Sequence, residues 1–386
     1  MDPYLKDVLD VTIRVLHVLA GIAWIGASFY FVRLDLSLRP PKDASDADTG
    51  VAGEFWGVHG GGLYHSQKYR LAPAEMPEPL HWFKWEAYTT WLSGFALLVL
   101  LYYIDPELRL VDPQVADLTS WAAIALSMGG LLVGWLMYEV LCRTVGRRSQ
   151  AALVAAGVAL LAVTAWGASE LFAARAAYLE VGAILGTIMA ANVLFVIIPA
   201  HRKLVRAMDE GREPDPEPLL QAKERSVHNN YLTLPVLFTM LAGHFAFTFG
   251  HEDAWLVLVL VALLTAWVRH FFNLWHTGRR AWWILATGAV AAVALAVWLE
   301  PERAPASAEP VDFAEVQGVI EQRCVACHAG ASAPLGVRLE TREQIEARAD
   351  DIERQAVLTR AMPPGNTTGM TDEERRLLAA WIASMR

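Results

Sequence analysis

Cysteine is scarce in this chain, because three residues among 386 cannot build a disulfide framework. Charged side chains make up 19% of the residues, whereas an average soluble domain carries about 25%. The formal net charge of -9 at pH 7 excludes a basic nucleic-acid binder as the default interpretation, so we expect no nucleic-acid partner. The sequence also contains no internal repeat.

Apolar residues are in excess, at 55% of the sequence, and they give a mean hydropathy of +0.31. They are concentrated in runs of about 20 residues, the length that crosses a bilayer core. Backbone groups inside lipid must be satisfied within their own segment, so each run is expected to be a helix. The predicted fold is all-α, a polytopic membrane bundle of eight transmembrane helices at 11–33, 82–104, 119–141, 151–172, 178–199, 231–249, 254–275 and 281–299.

The distribution of lysine and arginine between the loops predicts the orientation of these helices. The first, third, fifth and seventh loops hold sixteen of these residues, whereas the N-terminus and the even-numbered loops hold three. Positively charged loops tend to remain in the cytoplasm. We therefore expect a multi-pass protein of a bacterial inner membrane, embedded in the lipid bilayer, with both termini in the periplasm.

The composition changes abruptly after Leu299. Residues 301–310 are rich in proline and alanine, as expected of a short linker. Residues 311–386 are polar, contain no lysine and have more acidic side chains than arginines. We predict a transmembrane domain over 1–300, the linker over 301–310 and a small periplasmic domain over 311–386.

The tail contains the motif Cys324-Val325-Ala326-Cys327-His328, which has the C-x-x-C-H spacing of c-type haem attachment. Two thiols at this spacing add across the haem vinyl groups, and the adjacent histidine supplies the proximal iron ligand. The alternatives are a redox dithiol or half of a zinc site. A zinc site needs a second pair of ligands, and residues 329–386 contain neither cysteine nor histidine.

The order of elements in the tail resembles class I cytochromes c. An amphipathic helix over Asp312–Arg323 leads into the motif, and Thr371–Arg386 opens with the Thr371/Glu374 pattern of a capping box. By this resemblance Met362, in the sequence Ala361–Gly365, is the distal axial ligand of haem c. The alternative is that Met362 is a core residue and that Met370 or water binds the iron.

Three strings in the membrane half resemble the membrane-bound bacterial urate oxidases (urate hydroxylases). They are Trp56–His65, His81–Glu86 and His228–Pro235. That family joins an eight-helix catalytic domain to a C-terminal cytochrome c. The resemblance implies oxidation of urate with water to 5-hydroxyisourate. Its electrons would leave through haem c to a periplasmic or membrane acceptor, such as a cytochrome c or a terminal oxidase.

Seven of the eleven histidines fall on the predicted cytoplasmic face, which indicates a site there. Urate is a planar monoanion, so its site needs directional donors, a general base for water and aromatic surface. The candidate catalytic residues are His59, His65, His228, Asn229, Asn230 and Thr233. The alternative for Asn229 or Asn230 is that one of them merely caps the sixth span.

Ionisable side chains inside a bilayer are costly and point to function by default. The predicted spans contain Arg14, His17, Lys84, Glu86, Glu139, His244, Arg269 and His270. The alternative for Lys84 and Arg269 is that they extend to the membrane interface.

The first helices weakly resemble membrane protoporphyrinogen oxidases, in His17, Trp24-Ile25-Gly26 and Lys84. By that resemblance His17 and Lys84 are associated with haem. We predict a non-covalent haem b, with His17 as a ligand to its iron and His244 or Lys84 as the partner. The alternative is that His17 only hydrogen-bonds a neighbouring helix.

Two other functions compete with urate oxidation. One is an electron-transfer module that relays electrons from quinol or a partner protein to soluble cytochromes. The other is a membrane protein that handles haem or copper. The cluster of histidine and asparagine side chains favours an enzyme, because a relay needs only haem ligands.

Overall fold

The computed structural model describes residues 2–300, 311–331 and 333–385, so the predicted linker at 301–310 lies outside the described residues. The described chain is mostly helical. Its long helices before residue 300 are α1 (Pro3–Ser37), α2 (Trp85–Leu98), α3 (Ser120–Leu141), α4 (Gln150–Leu171), α5 (Ala174–Ala191), α6 (Ile198–Asp209), α7 (Glu217–Ala242), α8 (Ala254–His276) and α9 (Trp282–Trp298). Between and beyond them are π-helical turns at Val99–Tyr103, Cys142–Gly146 and Asn192–Ile197 and short helices at Ala44–Asp48, Pro106–Arg109 and Ala246–Phe249.

The predicted spans coincide with helices, but their bounds differ. Within the described residues, five helical stretches are long and apolar enough to cross a membrane: Pro3–Ser37, Ser120–Gly146, Gln150–Leu171, Ala174–Asp209 and Ala254–His276. Helix α9 is apolar but shorter, and α7 begins at Glu217, well before the predicted start at 231. The helical, membrane character is confirmed, whereas the number of eight crossings stays a prediction.

A β-hairpin corrects the all-α prediction. Strands β1 (Val51–His59) and β2 (Gly62–Tyr69) pair antiparallel, with His59 opposite Gly62. Gly60 and Gly61 form the connection at φ of 56° and 84°. A two-residue turn of this type needs positive φ at both positions, which glycine adopts without a steric penalty. The sequence signal was the Gly-Gly pair between aromatic and β-branched residues.

The chain forms two compact units. The first contains residues 1–97, 185–236 and 263–291. The second contains residues 98–184, 237–262 and 292–386. In the first unit, α1 and α7 carry five of the nine predicted substrate and haem b residues, and the second unit holds the whole described tail.

The tail is built on helices α10 (Phe313–Arg323) and α11 (Asp372–Ser384). Asp312 caps α10, and Thr371 and Glu374 form the predicted capping box at the start of α11. Shorter elements lie between them at Pro334–Gly336, Arg342–Glu346, Ala349–Ile352, Glu353–Leu358 and Pro364–Asn366. The core of the tail includes Val316, Ile320, Ile345, Met370, Leu378, Trp381 and Ile382.

Within the second unit, the tail rests on the segment that precedes α3. The Gln114 side-chain amide donates to the Met370 carbonyl at 2.8 Å. Gly365 has a φ of 56°, and a Cβ there would lie 3.0 Å from the Leu108 carbonyl oxygen. A Cβ at Gly250 would overlap the Thr359 carbonyl oxygen. These close backbone approaches fix the loop around Met370 against the rest of the unit.

Candidate functional site

The C-x-x-C-H motif begins where α10 ends. The Cys324 N–H donates to the Ile320 carbonyl at 2.9 Å, and the His328 N–H donates to the Cys324 carbonyl at 2.9 Å. This turn brings both cysteines and the histidine together, with Cys324 half-buried and Cys327 exposed, and neither forms a disulfide within the described residues. Burial raises the pKa of the Cys324 thiol to about 11.

His328 is oriented by its own loop. Its Nδ1 lies 3.0 Å from the Val337 carbonyl oxygen, and the Leu339 N–H donates to the His328 carbonyl at 2.9 Å. When Nδ1 donates to that carbonyl, Nε2 keeps its lone pair for a metal, as metal-ligating histidines require. The imidazole is therefore oriented so that its Nε2 would hold the haem iron.

The two candidate methionines differ in their surroundings. Met370 is fully buried in the core of the tail, whereas Met362 is 37% exposed. The Met362 backbone is fixed at both ends, since its N–H donates to the Gln355 carbonyl at 2.9 Å and its carbonyl accepts from Arg375 at 3.0 Å. Arg375 is itself buried and also donates to the Ala356 carbonyl. Core packing occupies Met370, so the partly exposed Met362 is the methionine that would hold the haem iron.

In the first unit, His17 on α1 packs against α2. Its Nδ1 lies 3.0 Å from the Thr90 carbonyl oxygen and 3.1 Å from the Ser93 hydroxyl. A Cβ at Gly94 would lie 2.9 Å from Cε1 of the ring. These contacts leave Nε2 for a metal, but they also fit a histidine that only joins two helices, so haem b at His17 stays a prediction.

The proposed partners of His17 lie in different settings. Lys84 precedes α2, with its Nζ 5.6 Å from the Trp85 ring centroid and 6.0 Å from that of Trp82, at cation–π distance. His244 is exposed and lies in the turn that follows α7 in the second unit. Both remain candidates.

The hairpin carries His59 and His65. His65 stacks on Trp56, the residue opposite it on β1, with ring centroids 4.1 Å apart and planes 12° apart. Its Nε2 lies 2.8 Å from Glu54 Oε2. His59 is the last residue of β1 and is exposed. His65 therefore contributes to the hairpin itself, and a catalytic role for either histidine stays a prediction.

Asn229 and Thr233 lie in the middle of α7. The Asn229 oxygen accepts from Asn192 at 2.9 Å, its amide donates to the Met189 carbonyl at 3.0 Å, and Thr233 donates to the Asn229 carbonyl at 2.8 Å. Because α7 begins at Glu217, the alternative that Asn229 or Asn230 caps this helix is wrong. These contacts indicate that Asn229 connects α7 to its neighbours, whereas Thr233 bonds within α7.

Asn230 has a different environment. Its Oδ1 accepts from Arg269 Nε at 3.0 Å and from the Asn273 amide at 2.9 Å. Arg269 is 5% exposed, so the alternative that it extends to the membrane interface is wrong. His228 lies two residues before Asn230 on α7. Its Nε2 is 3.9 Å from a carboxylate oxygen of Glu224. Asn230 thus joins α7 to a buried cation on α8.

The model of the urate oxidase N-terminal family matches residues 3–300. This chain belongs to that family. A second model, for subunit III of the cbb3-type cytochrome c oxidase, matches residues 311–382. No curated protein and no solved structure matches the chain. The predicted resemblance is confirmed, and the tail is a cytochrome c domain, which implies haem c.

As a member of the urate oxidase family with a cytochrome c tail, the protein is a membrane oxidoreductase with haem electron transfer. Cys324, Cys327, His328 and Met362 fit that haem by their chemistry and by the orientation of His328. Sequence reasoning did not single out Asn273 beside Asn230. The available signal was its position one helical turn after Arg269 on α8, on the same face of the helix.

The second unit also contains a buried carboxyl group that the sequence analysis did not identify. Glu180 on α5 is 3% exposed and accepts from the Ser127 hydroxyl at 2.6 Å. The Tyr103 hydroxyl lies 2.7 Å from Ser127. Ionisable residues inside a membrane are rarely placed there without a role. This network therefore belongs with the functional candidates.

Proposed function

We propose that this protein oxidises urate with water to 5-hydroxyisourate and delivers the electrons to its own cytochrome c tail. C5 of urate gains a hydroxyl group from water, and two electrons and two protons are released. When bound, haem c accepts such electrons one at a time. The observation that carries the proposal is the urate oxidase family match over residues 3–300 of a chain that continues into a cytochrome c domain.

In this proposal residues 1–300 form the catalytic transmembrane domain and residues 311–386 the electron-accepting domain. Cys324 and Cys327 attach the haem, and His328 and Met362 hold its iron. The charge distribution of the loops supports an inner-membrane protein with both termini in the periplasm. A periplasmic cytochrome c or a terminal oxidase would then be the next electron acceptor.

Asn230 has the strongest structural support among the predicted catalytic residues. Its Nδ2 is buried and has no hydrogen-bond partner among the residues that the structure describes, although its Oδ1 has two. A buried donor without a partner is costly and is expected where a ligand supplies the missing acceptor. Asn229 and Thr233, in contrast, have their hydrogen bonds met within the protein.

Urate added anaerobically to the purified, oxidised protein is expected to reduce haem c. The change in haem absorption should correspond to two reduced haems per urate oxidised, because each oxidation releases two electrons. Reduction by a quinol but not by urate would contradict the proposal and favour an electron relay. Xanthine, which lacks the 8-oxo group, is a suitable control compound.

The proposal includes a haem b ligated by His17, because electrons from a cytoplasmic site would otherwise cross a core about 30 Å thick. Acid-acetone extraction of the active protein should release haem b and leave haem c attached. His17→Ala should reduce the amount of extracted haem, whereas His251→Ala should not. An active protein whose extract contains no haem b would remove haem b from the proposal and favour a urate site near the outer face.

A further inference from the structure

Arg269 is a buried cation whose charge has no carboxylate partner among the described residues. Its Nε donates to the Asn230 side chain, and its guanidinium carbon lies 3.8 Å from the centroid of the Phe29 ring. Both neighbours are uncharged. Burying a charge without an opposite charge is unfavourable, so the site is suited to an anion.

Three polar atoms of this cluster are buried and have no hydrogen-bond partner in the described part of the chain. They are Nη2 of Arg269, Nδ2 of Asn230 and Oδ1 of Asn273. All three side chains meet at Asn230 Oδ1, which accepts from Arg269 and Asn273. The cluster therefore offers two donors and one acceptor from a small, fixed set of side chains.

A cavity of about 490 Å³ lies along the same helices. It is lined from α8 by Phe272, Trp275 and His276, and from α1 by Arg33. Pockets for small molecules typically measure about 300–1,000 Å³ and are largely apolar and aromatic. No acidic side chain is among the described residues that line this cavity.

Helical spacing connects the cavity with the buried cluster. On α8, Arg269, Asn273 and His276 are separated by four and three residues, and therefore lie on one face. On α1, Phe29 and Arg33 are likewise one turn apart. Both helices thus carry residues of the cluster and residues that line the cavity. The Ser37 hydroxyl, 3.4 Å from the His276 carbonyl oxygen, also joins α1 to α8.

We propose that Arg269, Asn230 and Asn273 form the urate-binding site and that the aromatic cavity admits the purine ring. This inference rests on the proposed function. Urate is a flat monoanion whose edges alternate carbonyl oxygens with N–H groups. Its oxygens match the two free donors, and one of its N–H groups matches the free oxygen of Asn273. Arg269 provides the charge that neutralises the anion.

The test measures urate binding to the full-length, haem-loaded protein in detergent. The haem is reduced beforehand, so that urate binds without being oxidised. Arg269→Gln removes the charge, Arg269→Lys keeps the charge without the planar fork, and Asn273→Ala removes the free acceptor. We expect Arg269→Gln to raise the urate Kd by at least about tenfold, the usual effect of losing a hydrogen bond to a charged group.

Arg279→Gln is the matched control, because it removes an exposed positive charge just after the same helix and should leave the Kd unchanged. An unchanged Kd in Arg269→Gln with normal haem content would overturn the site. If that variant does not fold, Arg269→Lys and Asn273→Ala decide the question in the same way.

Different experimental results would contradict the urate-binding site and the proposed function. Wild-type protein that binds urate in the reduced state, but is not reduced by urate when oxidised, overturns the function and leaves the site standing. Wild-type protein that oxidises urate, while the Arg269 and Asn273 variants keep its KM and Kd, overturns the site and leaves the function standing.

Discussion

The double variant Cys324→Ala/Cys327→Ala is expected to show no haem stain on a denaturing gel. Each thiol supplies one thioether bond, so removing both leaves no covalent attachment. Under the proposed function, the same variant should also lose the haem c absorption change that we expect urate to cause in the wild type, because the electron acceptor in the tail is missing. Haem stain together with protein mass on the same gel measures the effect.

Cys142→Ala is the natural control for this variant. Cys142 is the third cysteine, is buried, and lies far along the sequence from the C-x-x-C-H motif. Its replacement should leave full haem stain at the mass of the intact chain. A stained full-length band in the double variant would show that haem attachment was assigned to the wrong residues.

Met362→Ala should leave haem attached but lower its reduction potential. Methionine ligation favours the ferrous state, and axial ligands as a group span roughly 0.8 V, so we expect a decrease on the order of 100 mV. The near-infrared charge-transfer band between methionine and ferric haem should disappear as well. Redox titration and ferric-state spectra measure both effects.

Met370→Ala separates the two methionines. Met370 is fully buried in the core, so its truncation should destabilise the tail by about 2–5 kcal/mol. The haem spectrum and the reduction potential of this variant should remain those of the wild type at temperatures where the tail is folded. If Met370→Ala removes the near-infrared band and Met362→Ala retains it, the ligand assignment must be reversed.

The tail could be predicted closely because its signals are local. The capping box of α11 uses Thr371 and Glu374, which are three residues apart, and Asp312 caps α10 from the adjacent position. The attachment motif spans five consecutive residues. Short-range hydrogen bonds of this kind depend little on distant packing, so the sequence specifies them directly.

The hairpin and the buried arginine needed information from outside their own segments. The hairpin lies between helices of an otherwise helical chain. Its glycine pair entered the sequence analysis only as part of Trp56–His65, a segment that resembles the urate oxidases. The burial of the Arg269 side chain depends on contacts with Asn230 and Phe29, which are far away in the sequence. Hydropathy along α8 alone fits a side chain that extends to the membrane surface equally well.

The contacts of the tail with Gln114 and Leu108 have a kinetic consequence. An acceptor that belongs to the same chain does not need to be found by diffusion, since tethering gives an effective concentration in the millimolar range. Under the proposed function, reduction of the haem by electrons from bound urate should therefore be a first-order process whose rate is insensitive to dilution of the protein. Only the later transfer to an external acceptor should depend on the concentration of a second molecule.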